Sequence, residues 1–265
     1  MNITSLTSAS TSSTANSLIN SQTSAQASTA LSPIAAALQK ADQRIQSEVD
    51  ATSSRLSSLG TLKSAVSNIQ IAAQALHHLP ANVPDANVKT AANDFLLVFN
   101  NTIQTAKTTA ATLSPGSAAT SSLAATANRA ATDLRRAVNP NSSTMDALKK
   151  IGFSLQTDGT LSLDTSKFDA AQKADPAGVL NTMSKLGQQV DTAATQELAT
   201  GGNMGLSLTA LNQRASTLKA QQAALSKAEQ AANTSASAST SSTQGTGTAW
   251  SANYGAGAYL ASLWS

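Results

Sequence analysis

Residues Ile151–Asp164, which read IGFSLQTDGTLSLD, decide the fold. Ile151, Phe153 and Leu155 alternate with Gly152 and Ser154, and Leu161 and Leu163 flank Ser162. Each arm therefore puts its large apolar side chains on one face of a strand. Thr157, Asp158 and Gly159 supply the turn between the arms. An antiparallel hairpin is predicted. A lone hairpin is marginal in water, so its apolar face must lie on whatever flanks it in the chain.

What flanks it reads as helix. Ser32 and Pro33 make a helix start, a cap residue followed by proline at the first helical position. Leu38, Ile45, Leu59 and Val66 then recur in a seven-residue register interrupted by Thr52, with Leu62, Ile69 and Leu76 as a companion row. His77-His78-Leu79-Pro80, followed by Pro84 and Asp85, predicts a break and a turn-rich connector. A second helix is expected from about Ala92 to Leu113, on the row Leu96, Phe99, Ile103, Ala106, Ala110. A third is expected from about Ser117 to Val138, ended by Asn139-Pro140-Asn141. After the hairpin, Pro176 opens a helix carrying Val179, Met183, Leu186 and Val190 as far as Leu198, stopped by Gly201-Gly202. Leu211, Leu218 and Leu225 set a second heptad seam on a helix from about Leu206 to Ala232. That seam is suited to pair with the first.

Composition fits shared helical cores better than a compact enzyme. Of the 265 residues 41% are hydrophobic, but alanine inflates that figure, and aromatics are only 3%. The net charge of +3 and the doublets Arg135-Arg136 and Lys149-Lys150 fall short of a nucleic-acid stripe. Cysteine is absent, which excludes disulfides, thiolate metal sites and a cysteine nucleophile. No apolar run approaches the roughly 20 residues needed to span a bilayer, and the N-terminus lacks the pattern of a Sec signal. Membrane insertion is not expected. Residues 1–32 carry Ser, Thr, Ala, Asn and Gln with no Lys, Arg, Asp or Glu, a composition expected to be disordered.

No catalytic constellation can be assembled. The two histidines are adjacent, and neighbours on a helix point about 100° apart, so they cannot join one metal site with each other. Acidic residues are expected on solvated helix faces, with Asp158 in the turn and Asp164 capping the following helix. Phe95 and Phe99, one helical turn apart, are expected in the core. An enzyme is not expected, and neither cofactor nor metal is predicted.

The hairpin, the return D-G-T-L-S-L-D and the downstream Lys167, Phe168, Ala171 and Ala174-Asp175-Pro176 resemble the C-terminal part of flagellar hook-associated protein 2, the filament cap. Leu59-Gly60-Thr61-Leu62-Lys63-Ser64-Ala65-Val66-Ser67 is similar to that family's N-terminal helical segment. The family separates its two helical segments by a large, mainly β head. Here only the connector stands in that place, so the resemblance implies a shortened form lacking the head.

The expected fold is mainly α: an elongated, discontinuous helical bundle or coiled coil with one inserted hairpin at about 151–164 and disordered termini. The expected organisation is 1–32 terminal export segment, 33–79 heptad helix, 80–91 connector, 92–200 helical bundle with the hairpin, 205–233 second heptad helix, and 234–265 Ser/Gly-rich linker with an aromatic tail. Leu38, Ile45, Leu59, Val66, Leu211, Leu218 and Leu225 are the candidate oligomer or partner seam. Every Trp and Tyr lies in the tail, so Trp250, Tyr254, Tyr259, Leu263 and Trp264 are a candidate docking segment.

What the resemblance implies is a structural protein of the bacterial flagellum, secreted by flagellar type III export to the distal tip. Its implied partners are copies of itself, flagellin, hook–filament junction proteins and a flagellar export chaperone. Two other roles fit the same sequence. One is a regulator that titrates such a chaperone or cap subunits; the other is an exported adhesin or needle-associated type III secretion protein.

Overall fold

The computed structural model describes residues 33–114 and 118–241. It is mainly α, with one two-stranded sheet among the described residues. In chain order the elements are α1 (Pro33–His77), α2 (Asp85–Leu113), α3 (Ala118–Val138), α4 (Ser142–Lys150), β1 (Phe153–Leu155), β2 (Leu161–Leu163), α5 (Thr165–Ala174), α6 (Pro176–Leu198) and α7 (Asn203–Ser241).

Two helix ends depart furthest from the expected bounds. α2 begins at Asp85 rather than Ala92, because Pro84, at φ −61° and ψ 142°, is its cap and not part of a turn. The Asp85 carboxylate in the first turn suits the positive end of the helix, and Val88 is already in the core. The connector therefore shortens to residues 78–84. α7 runs to Ser241, past the expected linker start at 234, since no Gly or Pro interrupts the chain before Gly245. The expected segment 1–32 and the aromatic tail lie outside the described residues.

The described chain forms two units. The larger, Asp50–Ser216, holds one continuous core built on Leu59, Leu62, Val66 and Ile69 of α1, Phe95, Phe99 and Ile103 of α2, Leu134 of α3 and Met183, Leu186 and Val190 of α6. Phe95 and Phe99 are fully buried and stack at 6.0 Å between ring centres. Each such side chain contributes about 1.5–3 kcal/mol by leaving water. α1 and α6 approach closely at Gly187, where a Cβ would stand 2.5 Å from the Ala73 carbonyl oxygen. Along that contact Gln70 Nε2 donates to Thr195 Oγ1 at 2.8 Å and Gln74 Nε2 to Asp191 Oδ1 at 3.0 Å.

The smaller unit comprises residues 33–49 of α1 and 217–241 of α7. Its core is Leu38, Ala41 and Leu225, with Ile45, Ala228 and Ala232 half-buried against it. Gln222 Nε2 donates to Gln46 Oε1 at 2.9 Å beside that seam. The two heptad helices thus meet within a single chain.

Candidate functional site

Backbone geometry explains how the hairpin is held. Phe153 pairs with Leu163, Ser154 with Ser162 and Leu155 with Leu161. Phe153, Leu155, Leu161 and Leu163 turn inward against the core, while Ser154 and Ser162 share the outer face, their hydroxyls 2.7 Å apart and both contacted by Gln156 Nε2. The Gln156 amide donates to the Thr160 carbonyl and the Asp164 amide to the Gly152 carbonyl. In an antiparallel ladder these closely bonded pairs alternate with wide ones, so the amide and carbonyl of Leu161 point away from β1.

Asn100 of α2 fills that open edge. Its Oδ1 accepts from the Leu161 amide at 2.7 Å and its Nδ2 donates to the Leu161 carbonyl at 2.8 Å. One side-chain amide therefore replaces a third strand. At the tip, the Lys107 ammonium donates to the Asp158 carbonyl, and Gly159, at φ +85°, leaves room for the Arg135 side chain of α3. The hydroxyl and amide of Thr160 hold the Asp158 carboxyl below the usual carboxylate range.

The hairpin is also fixed at its base. Gly152 takes φ +90°, and a Cβ there would lie 2.6 Å from the Asp164 carbonyl oxygen. Asp164 caps α5 by accepting from the Lys167 amide at 3.0 Å, which carries Phe168 under the sheet edge-on to Phe153, ring centres 6.4 Å apart. Asp175 caps α6 in the same way through the Gly178 amide.

Leu38, Leu218 and Leu225 are buried in the smaller unit, with Ile45 half-buried there. Leu59, Val66 and Leu211 are buried in the larger one. The structure brings Leu38, Ile45 and Leu225 together, and separately Leu59, Val66 and Leu211. Thr52, the polar position in the first seam, is buried and its Oγ1 has no hydrogen-bond partner. Trp250, Tyr254, Tyr259, Leu263 and Trp264 lie outside the described residues.

His77 is a structural link. Its Nδ1 lies 3.1 Å from the Ser184 carbonyl, which only accepts, so that nitrogen carries the hydrogen. Ser184 Oγ donates back to the His77 carbonyl at 3.0 Å. Among the described residues no group of three or more His, Asp or Glu is placed to hold a metal ion, and no helix is long and apolar enough to cross a membrane.

The expectation that acidic residues sit on solvated faces fails at Glu197. This residue, near the end of α6, is 4% exposed. Burial pushes its carboxyl up to about 7, helped by a hydrogen bond with Asp133 and by that residue's charge, while Arg129 pulls the other way. An apolar row at Val190 and Ala194 carries Glu197 inward with it, a signal that the helical spacing contains.

Comparison with known proteins agrees with the resemblance drawn from the hairpin. Residues 81–249, well over half of the chain, match the family model described as flagellar hook-associated protein 2 C-terminus. Searches of curated proteins and of solved structures found no match. The matched region contains α2 through α7, including the hairpin, its Asn100 clasp and the Asp164 and Asp175 caps. The chain belongs to the flagellar hook-associated protein 2 family, whose members are flagellar filament cap proteins.

Proposed function

We propose that this chain is a non-catalytic cap subunit that is secreted through the flagellar export apparatus and self-associates at the distal end of the flagellum. There it contacts flagellin and hook–filament junction proteins and promotes flagellin assembly, with an export chaperone as its partner before secretion. The observation that carries this reading is the family match over residues 81–249.

Self-association has support from the small unit. Among the described residues its core is Leu38, Ala41 and Leu225 with three half-buried neighbours, and Leu218 of the same unit is buried as well. Two helices ordered at about 1–2 kcal/mol per residue of backbone need more apolar contact than the described part of this seam supplies. Neighbouring copies laid against the same helices would supply it. On this reading Leu38, Ile45, Leu218 and Leu225 brace the helices internally, and the faces around them meet neighbouring subunits.

The test is electron microscopy of cells lacking the gene, with flagellin measured in the medium. Short or absent filaments together with unpolymerised flagellin outside the cells are expected. Normal filaments, with the protein retained in the cytosol, would overturn the cap reading. They would instead favour the regulator that occupies a cap chaperone, which the connector of residues 78–84, too short for an outer head, also suits.

A further inference from the structure

Glu197 is the one buried acid that the fold leaves incompletely satisfied among the described residues. It is 4% exposed, and its Oε2 has no hydrogen-bond partner. Asp133, on α3, is the carboxylate within hydrogen-bonding reach of it. Among the described residues, the charged groups that interact with the pair are on α3. Arg136 Nη1 bonds Asp133 Oδ1 at 3.2 Å, and Arg129 Nη1 is turned to Asn203 Oδ1 at the start of α7, 2.9 Å away. α6 contributes the neutral amides Gln189 and Gln196, and α1 reaches this end of α6 with the neutral Gln70.

Burial with an orphaned oxygen and no cation on it disfavours an ionised carboxylate, whereas a neutral carboxyl can donate to a neighbouring carboxylate. We propose that one proton, held on Glu197, ties α6 to α3 through Asp133, making the seat of the last turn of α6 on α3 a proton-dependent latch. Glu197 holds the proton and donates it to Asp133, whose charge Arg136 compensates. When the proton is lost to water, two carboxylates face each other and the turn formed by Ala199–Gly202 loosens.

The geometry gives the proton a way out. Asp133 is about a third exposed and lines an open cleft of about 610 Å³ with Arg136, Gln188, Gln189 and Gln196. Solvent therefore reaches the pair from the Asp133 side. The raised carboxyl of Glu197 fits this placement and sets the window. Its folded value near 7 lies above the ordinary 4.5, so the native state holds one more proton than the unfolded state between those values. Stability contributed by the latch is full below the unfolded value and falls as pH rises through the folded one. One extra bound proton changes the unfolding constant about tenfold per pH unit within that window.

The experiment uses the full chain, Glu197→Gln and Asp133→Asn. The Glu197 carboxyl carbon is followed by NMR titration, and urea unfolding and amide exchange of residues 195–202 are followed from about pH 5 to 8.5. Expected are a Glu197 midpoint near 7, a wild-type stability that declines up to that midpoint, and a Glu197→Gln protein whose stability is flat there and exceeds wild type at high pH. Asp133→Asn should lower the Glu197 midpoint. Exchange of the Ala199 amide should rise above the midpoint in wild type relative to Glu197→Gln. A Glu197 midpoint near 4.5, or parallel pH profiles for wild type and Glu197→Gln, would overturn the proposal. The NMR midpoint decides the matter even if a substitution impairs folding.

Discussion

Removing the Asn100 side chain tests how the hairpin is attached. In Asn100→Ala the amide and carbonyl of Leu161 lose the Asn100 amide as partner across the open edge of β2, because the ladder geometry turns both away from β1. A buried polar group left unpaired costs about 1–3 kcal/mol, and these two bonds are partly buried, so about 1–1.5 kcal/mol each applies. The expected loss is about 2–3 kcal/mol, or a fall in Tm of about 4–12 °C for a domain of this size. Urea unfolding followed by far-UV circular dichroism measures it. Hydrogen exchange of the Leu161 amide, which should quicken well beyond the global change, localises it. Asn100→Asp sharpens the test. It keeps an acceptor for the Leu161 amide but faces the Leu161 carbonyl with a second oxygen, so it should be no better than alanine. A loss below about 0.5 kcal/mol in Asn100→Ala, with Leu161 exchange unchanged, would refute the clasp.

Other substitutions separate the remaining parts of the structure. Gly152→Ala forces a Cβ to 2.6 Å from the Asp164 carbonyl oxygen at φ +90°, and should cost about 2 kcal/mol or more in urea unfolding. Phe168→Ala removes a fully buried ring edge-on to Phe153 and should cost about 3–5 kcal/mol, read by the same assay. Leu225→Ala empties the centre of the smaller unit, and exchange of amides near Leu38 and Ala41 should rise while those around Phe95 and Phe99 stay protected.

The parts of the fold visible in the sequence were those written in local periodicity. The hairpin's alternation placed Phe153, Leu155, Leu161 and Leu163 on one face, and Asp164 and Pro176 marked helix starts that the structure keeps. Pro84 and Asp85 read as part of a turn-rich connector, but a proline beside an aspartate also suits a helix start, and with Val88 and Ala92 buried in the core the helix begins there. What periodicity does not encode is pairing at long range. Asn100 lies 61 residues from Leu161, and nothing near it announces that its amide will complete a sheet edge. Gly187 is likewise unremarkable until Ala73 of α1 is brought against it. Glu197 departs from expectation for a related reason: its charge suggests solvent, while its place on the Val190–Ala194 row of α6 turns it inward. The seam leucines were found as a pattern. Only the structure shows that Leu38 meets Leu225, while Leu59 and Val66 join a different core with Leu211.

Family membership and the proposed role meet at one place, the distal end of the filament. Immunogold electron microscopy of sheared flagella, with antibody against the folded 50–216 unit, locates the chain there or elsewhere. Label confined to one filament end, distal to the hook, is the predicted result. Label absent from filaments, with the protein confined to the cytosol, would contradict the cap role.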